Sequence, residues 1–384
     1  MDNIHFYNKK IGILGGGQLG KMLCQVASNW HVETFILDPS SECSAANLCS
    51  HFIKGDFTDY EVVYNFGKLV DIVTIEIENV NIEALLKLEA EGKSVYPNPH
   101  ALKIIQDKGL QKEFYLQNNL SSSPFILCNN KEEIIQKIND GLIQFPFVQK
   151  SRKEGYDGKG VVVINESKYL TKLLDTPSLI EEKVIIKKEI SIIAVRDING
   201  MISCFSPVEM IFDEEANLVK YLLSPAQIND EIANKAIELA TKTIKAFDLI
   251  GILAVEMFLD KNDNILINEV APRPHNSGHQ TIENTVTSQY EQQLRAILGL
   301  PLGSTEIILP SVMLNVLGEP NYSGAVIYDG LEECMQIPGI NVHLYGKKET
   351  RPFRKMGHIT IVNNSLEEAK KNADFISNRL KVIA

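Results

Sequence analysis

Two apolar strands separated by a short turn carry one glutamate each, and this pairing constrains the chain more than any other feature. Val255-Glu256-Met257-Phe258 leads into Lys261-Asn262-Asp263-Asn264, which is turn chemistry, and Ile267-Asn268-Glu269-Val270 follows. Closing the strands on a four-residue loop sets Asp260 opposite Ile265, and counting back sets Glu256 opposite Glu269. Side chains opposed on one face of a ladder have Cβ atoms about 4.5–5.5 Å apart. Two like charges at that spacing repel, so the pair destabilises the sheet unless a cation or proton sits between them. Mg2+ takes carboxylate oxygens and keeps positions open for substrate phosphates, so two such ions on this pair would hold a triphosphate. The plainer alternative is two solvated glutamates on separate strands. The apolar residues on either side favour the buried pair.

The N-terminal quarter reads differently. Residues 10–96 alternate apolar strands with helical stretches over short connections, which argues for a parallel sheet covered on both faces. Gly15-x-Gly17-x-x-Gly20 lies between the first strand and its helix, and Asp38 ends the next strand, about where a ribose-binding acid would fall. That spacing suits an NAD-type dinucleotide; the same glycines also suit a tight turn with close helix packing. Both readings stay open from these residues.

Pro97 and Pro99 then punctuate the chain, and two helical stretches run to about residue 118. Residues 124–190 mix a helix (132–139) with strands around 147–150, 161–164 and 179–182. Within this unit Gly155-Tyr156-Asp157-Gly158-Lys159-Gly160 can close over phosphates with backbone N–H groups and an ammonium, with Lys150 just upstream. It is not a Walker loop, because glycine follows Gly-Lys. Three antiparallel strands are expected over 189–226, helices over 231–247 and 289–298, and a strand-rich tail that closes with a helix from Leu366. The expected organisation is an N-terminal domain over 1–98, a central domain over 99–309 with a lid at about 124–190, and a C-terminal domain over 310–384.

Two further segments carry chemistry. Ala271-Pro272-Arg273-Pro274-His275-Asn276-Ser277-Gly278-His279 follows Glu269 directly; Arg273 suits a planar oxyanion, and neutral His275 can hydrogen-bond or shuttle a proton. A zinc site on His275 and His279 lacks a third ligand nearby. Tyr345–His358 is densely basic in a chain of net charge −11, which suits a pocket for a phosphorylated substrate. The acidic balance disfavours general nucleic-acid binding. No run of 18 apolar residues predicts a membrane span, and the first ten residues lack a signal-peptide core. Six cysteines with no C-x-x-C pair point to a reducing, cytoplasmic setting.

Together these motifs resemble the ATP-grasp superfamily and, within it, the carboxyaminoimidazole ribonucleotide synthases of purine biosynthesis. GGGQLGKM (15–22), GYDGKG (155–160), NEVAPRPHNSGH (268–279), YGK (345–347) and RKMGH (354–358) carry the resemblance over nearly the whole chain. It implies an α/β and α+β architecture: an ATP-grasp fold with an N-terminal Rossmann-like domain that binds no NAD, and a small strand-rich C-terminal domain. It implies a carbon–nitrogen ligase that joins bicarbonate to aminoimidazole ribonucleotide with ATP, through carboxyphosphate, and it implies a homodimer. By the same resemblance Lys108 and Lys150 hold ATP phosphates under the flap Gly155, Tyr156, Asp157, Gly158, Lys159, Gly160 and Val161. Glu181, Glu182, Lys183 and Val184 line the adenine, Glu189 takes the ribose hydroxyls, and Glu256 and Glu269 bind two Mg2+ (Mn2+ being the alternative), with Asn268 beside them. Tyr156, Asp157, Lys159, Lys347 and Arg354 contact the ribonucleotide. Arg273, His275 and Asn276 orient bicarbonate or carboxyphosphate, and Gly15–Gly20 with Glu76 borders the cleft. The chain departs from the family pattern at Glu209-Met210-Ile211-Phe212, where Glu-Asn-x-His is usual, and at Glu154 and Phe353, where glycine is common.

Overall fold

The computed structural model describes residues 5–153, 160–213 and 218–384. Near the N-terminus five parallel strands stand in the order His51–Lys54, Glu33–Asp38, Lys10–Leu14, Ile72–Ile75, Ser94–Val95. Their apolar runs are buried from both sides, as covered parallel sheets require: Ile11, Ile13 and Leu14 are sealed, as are Ile36, Leu37 and Val73. Helices Gln18–Asn29, Tyr60–Lys68 and Ile82–Ala90 do the covering, and Asp59 and Asn81 cap the last two by accepting from the Val62 and Ala84 N–H groups.

A large antiparallel sheet forms the centre. Its strands run Ile265–Ala271, Gly251–Asp260, Ile186–Arg196, Val208–Asp213, Leu218–Ser224, Ser311–Leu317, Lys355–Val362, Ile340–Leu344, with Ile202–Cys204 attached to Ile186–Arg196. Residues 189–226 therefore hold parts of four strands, one more than expected, because the chain crosses at Ile202–Cys204 before turning back. Leu218–Ser224 pairs with Ser311–Leu317, so the sheet passes residue 310 without a break. Helix Asp230–Ala246 lies on this sheet, with Ile232, Ala236, Ala240 and Ile244 packed against Ile190, Ile192, Leu253 and Val255.

Over 124–190 a four-stranded antiparallel sheet runs Phe125–Cys128, Ser178–Glu182, Phe147–Ser151, Val161–Ile164, with helix Lys131–Asn139 beside it. The strand Phe125–Cys128 is not foreseen; it is four residues long and follows a proline. Helix Gln289–Leu298 joins the N-terminal and central sheets: Tyr290, Leu294 and Ile297 pack among Leu19, Met22 and Leu23 of helix Gln18–Asn29. Between the sheets Gln293 donates to Thr74 Oγ1 at 3.1 Å and accepts from the Ile252 N–H at 2.7 Å. The chain end of strand Ile72–Ile75, the lid strands and the Glu256/Glu269 hairpin thus face one cleft.

Candidate active site

The two glutamates do stand opposite each other, by a route the count from the turn does not contain. Next to the turn Leu259 pairs with Ile265 and Met257 with Ile267, one residue off the expected register. The Asp260 N–H reaches the Asn264 carbonyl, so the loop holds three residues, with Asp263 in the left-handed region at φ 61°. A bulge at Asn268 then takes up one residue and brings Glu256 into register with Glu269. Because the bulge interrupts the strand's alternation, Asn268 and Glu269 both turn to the cleft although they are adjacent in sequence.

Two lysines meet them. Lys108 opens helix Lys108–Gln117 and places Nζ 2.9 Å from Glu269 Oε2. Asp107 caps that helix, and Arg152, leaving the lid, grips the same carboxylate at 2.8 and 3.0 Å. Lys150, on lid strand Phe147–Ser151, donates to Asn268 Oδ1 at 2.8 Å and lies 2.7 Å from Glu181 Oε2. The other Glu181 oxygen receives Lys112 at 2.8 Å and the Ser123 hydroxyl at 2.5 Å. Burial would raise the Glu181 pKa, but Lys150 and Lys112 outweigh it and hold the carboxyl at about 2. Lys112 lies outside the motifs that mark the site in the sequence. Its signal was available: Lys108 and Lys112 are four apart on a helix and share a face.

Burial, then the charges of Glu269 and Glu189, push the Glu256 carboxyl well above the usual range. Burial acts on Glu269 in the same sense, but Lys108 and Lys150 bring it below the ordinary value. Burial raises Glu189 to about 7. Glu189 pairs across the ladder with Met210, and Met210 is packed with Val208, Leu222 and Met313. Among the described residues no group of three His, Cys, Asp or Glu side chains is placed to hold a metal. The opposed pair nevertheless suits Mg2+. Its donors are carboxylate oxygens only, Glu269 keeps 46% of its side chain open to the cleft, and Mg2+ completes its shell with water and substrate phosphate.

The loop after the hairpin is fixed by Gln289, which accepts from the His275 N–H at 2.9 Å and donates to the His275 carbonyl at 2.8 Å. A Cβ at Gly278 would fall 2.5 Å from Gln289 Oε1, so only glycine admits this clamp. His275 is kept neutral by burial, then by Arg273 and Lys355. The Ser277 N–H donates to His275 Nδ1 at 3.3 Å, which assigns the imidazole proton to Nε2. Arg273 is paired to Glu78 at 2.8 Å and donates to the Pro274 carbonyl, while its buried Nε has no partner. Asn276 begins the short turn Asn276–Gly278 beside them. The zinc alternative does not form: His279 bonds the Tyr290 hydroxyl at 2.9 Å and stacks on His358 with ring centres 4.4 Å apart.

The first glycine loop is occupied by the protein itself. Glu76 accepts from the N–H groups of Gly17, Leu19 and Gly20 at 2.8, 3.2 and 3.1 Å, and Asp38 accepts from Gly16 and Ser40, both at 2.8 Å. The anion position at the helix N-terminus is filled, and the would-be ribose acid is a turn cap, so the dinucleotide reading is corrected. The basic segment lies alongside. Lys347 donates to the Lys355 carbonyl at 2.7 Å and Arg354 to the Glu349 carbonyl at 2.6 Å. Burial, then Arg354, lowers Lys347 to about 8, with Glu76 acting the other way. Glu182 and Lys183 are exposed and Val184 half-buried at the lid edge, and Val161 starts the strand that Gly160 enters at φ 75°. Gly155, Tyr156, Asp157, Gly158 and Lys159 lie outside the described residues, as does Glu154.

An antiparallel sheet carrying opposed carboxylates, under a small lid that delivers a lysine, is the ATP-grasp arrangement. The ATP-grasp domain model matches residues 113–290, the ribonucleotide synthetase preATP-grasp domain 8–106, and the phosphoribosylaminoimidazole carboxylase C-terminal domain 311–372. The N5-carboxyaminoimidazole ribonucleotide synthase of Staphylococcus aureus is 35% identical over 95% of this chain and 96% of its own length. The chain belongs to the N5-carboxyaminoimidazole ribonucleotide synthase family. The crystal structure of the Thermotoga maritima synthetase superposes with a TM-score of 0.90 at 41% identity, covering 98% of this chain and 99% of that one. The Aspergillus clavatus synthase, solved with ADP and 5-aminoimidazole ribonucleotide, gives a TM-score of 0.88 at 32% identity, covering 97% of this chain and 98% of that one. The chloroplastic phosphoribosylaminoimidazole carboxylase of Vigna aconitifolia is 39% identical over 95% of this chain, which spans only 66% of that longer protein.

Proposed function

We propose that this chain carboxylates 5-aminoimidazole ribonucleotide with bicarbonate, driven by ATP, to give 5-carboxyaminoimidazole ribonucleotide, ADP and phosphate. The observation that carries the reading is the convergence of Glu256, Glu269, Lys108 and Lys150 on one cleft beside neutral His275 and the unpartnered Nε of Arg273. The family names support the substrates.

A bicarbonate oxygen attacks the γ-phosphorus, the bond to ADP breaks, and carboxyphosphate forms. The exocyclic amine then takes the carboxyl group, phosphate leaves, and the amine gives up a proton. This chemistry asks the protein for position, charge and exclusion of water. Lys108 and Lys150 face the phosphates. Arg273 Nε and the His275 Nε2–H donate to the bicarbonate oxygens, with Asn276 adjacent. Lys347 and Arg354 meet the ribonucleotide, whose 5′-phosphate restores full charge to Lys347. Two Mg2+ ions on Glu256 and Glu269 would supply charge neutralisation at the transferring phosphoryl group. Glu189 meets the ATP ribose, and Val161, Glu182, Lys183 and Val184 border the adenine. The enzyme acts as a homodimer in the cytoplasm, a reading supported by the family resemblance and the unpaired cysteines.

An ADP-release assay with each substrate omitted in turn tests this. Release that needs both bicarbonate and the ribonucleotide supports it; equal release without the ribonucleotide overturns it.

A further inference from the structure

Lys112 has no place in the chemistry above, yet it is among the most deeply buried charges in the chain. It is 1% exposed. Its ammonium touches Glu181 Oε1 at 2.8 Å, the Ser123 carbonyl at 2.9 Å and the Ser123 hydroxyl at 3.0 Å. Glu181 is equally committed. One oxygen serves Lys112 and Ser123, the other serves Lys150, and the carboxylate is 4% exposed. Both Glu181 oxygens are thus engaged inside the protein, and the side chain is not among the nucleotide contacts proposed above.

We propose that Lys112 is a positioning residue for nucleotide binding: by neutralising Glu181 it leaves Lys150 with a surplus positive charge to present to the phosphates. The charge count makes the case. One carboxylate and two lysines leave a net charge of +1, and Lys150 is the only member of the three open to the cleft. If Lys150 faced Glu181 alone, the pair would be neutral, and the full carboxylate charge would bear on the ammonium it already touches at 2.7 Å. A buried pair is screened little by water, so the loss reaches the phosphate site undiminished. Ser123 fixes the geometry by donating to the carboxylate and accepting from Lys112, so the anchor is rigid. This inference rests on the proposed ATP site.

The test measures Mg2+-dependent ADP binding by titration calorimetry on the full chain, with steady-state KM values for ATP and for the ribonucleotide alongside. Lys112→Met weakens ADP binding about tenfold or more and raises the ATP KM in step, while the ribonucleotide KM stays within twofold. Lys112→Arg retains parental binding. The deciding variant is Lys112→Met with Glu181→Gln. It removes both charges, restores the surplus on Lys150, and returns ADP binding to within about threefold of the parent. A merely structural loss would also be relieved by removing the carboxylate, so the split in KM separates the two: a structural role moves the ATP and ribonucleotide KM values together, and the positioning role moves the ATP KM alone. If Lys112→Met fails to fold, the double variant decides alone, because it removes the buried carboxylate together with the lysine that neutralises it. Double-variant binding as weak as that of Lys112→Met, or a tenfold loss in the double variant where the single one does not fold, overturns the proposal. Unchanged ADP binding in Lys112→Met overturns it too. Failure of the carboxylation reading is separable: it would appear as ADP release indifferent to the ribonucleotide, with ADP affinities untouched.

Discussion

Glu76 seats its carboxylate on the Gly17 N–H at 2.8 Å and so closes the helix N-terminus that a dinucleotide phosphate would need. The contact is tight enough that a Cβ at Gly17 would fall 2.6 Å from Glu76 Oε1. The glycines that resemble a phosphate loop serve instead to bring backbone N–H groups onto an internal acid, where the helix dipole favours it. Two outcomes follow. NADH titration gives no saturable fluorescence change. Glu76→Ala leaves the Gly17, Leu19 and Gly20 N–H groups without acceptors and lowers unfolding stability by about 2 kcal/mol in a denaturant titration. Saturable NADH binding by the parent would restore the dinucleotide reading.

Glu256→Gln separates function from stability. The substitution removes one of two opposed carboxylates and with it the like-charge repulsion across the ladder. Phosphate release should fall about 1,000-fold, since charge neutralisation at the transferring phosphoryl group is a large part of such catalysis. Thermal stability without ligand should be equal to or above the parent's, because a buried charge without full pairing is a cost. Parental turnover would remove Glu256 from the proposed metal site.

The hairpin shows what was legible in the sequence and what was not. The opposition of Glu256 and Glu269 was readable, because apolar strands and turn residues declare a hairpin. The bulge at Asn268 was not, because nothing in Ile267-Asn268-Glu269 sets it apart from regular alternation. A four-residue loop predicts the right pairing from a register that is one residue off near the turn. The spacing from Lys108 hints at Lys112, but what Lys112 and Ser123 pair with is set by a strand, Ser178–Glu182, lying about 55–70 residues further on, and long-range partnership leaves no local pattern. Asp38 and Gly15–Gly20 were misleading for the converse reason: their local pattern is genuine, and a distant side chain, Glu76, settles what it does. The sheet order was open to reading only where periodicity is strong. Strand His51–Lys54, with no fully buried residue and only two apolar side chains, has no such periodicity.

The pH dependence of stability follows from the cleft carboxylates. Burial raises Glu189 from 4.5 to about 7. Between those values the folded chain holds a proton that the unfolded chain has lost, so stability falls as pH rises across that window. Glu256 acts in the same direction. Glu181 works oppositely: its pKa is depressed to about 2, so its contribution is complete above 4.5 and is lost as pH falls toward 2. Thermal melts of the unliganded protein should therefore peak near mildly acidic pH and decline toward pH 8. Glu189→Gln should flatten the decline on the alkaline side and leave the acid limb unchanged. A Glu189→Gln profile as steep as the parent's above pH 5 would show that Glu189 does not titrate in this window.

Phe353 offers a stabilising change. Its φ is 60°, in the left-handed region, and its N–H donates to the Gly318 carbonyl at 2.8 Å, which holds the turn before Arg354. A side chain there costs about 1–2 kcal/mol that glycine does not incur. The ring returns little, since 42% of the residue is exposed. Phe353→Gly relieves the strain and gives back part of the gain through a freer unfolded chain. The net effect should be a rise in stability of about 0.5–1 kcal/mol, read as a higher denaturant midpoint at unchanged slope. Because the hydrogen bond to Gly318 survives, Arg354 keeps its approach to the cleft, and the ribonucleotide KM should stay within about twofold of the parent. A raised KM with the stability gain intact would mean that the strained phenylalanine, and not the hydrogen bond, sets the position of Arg354.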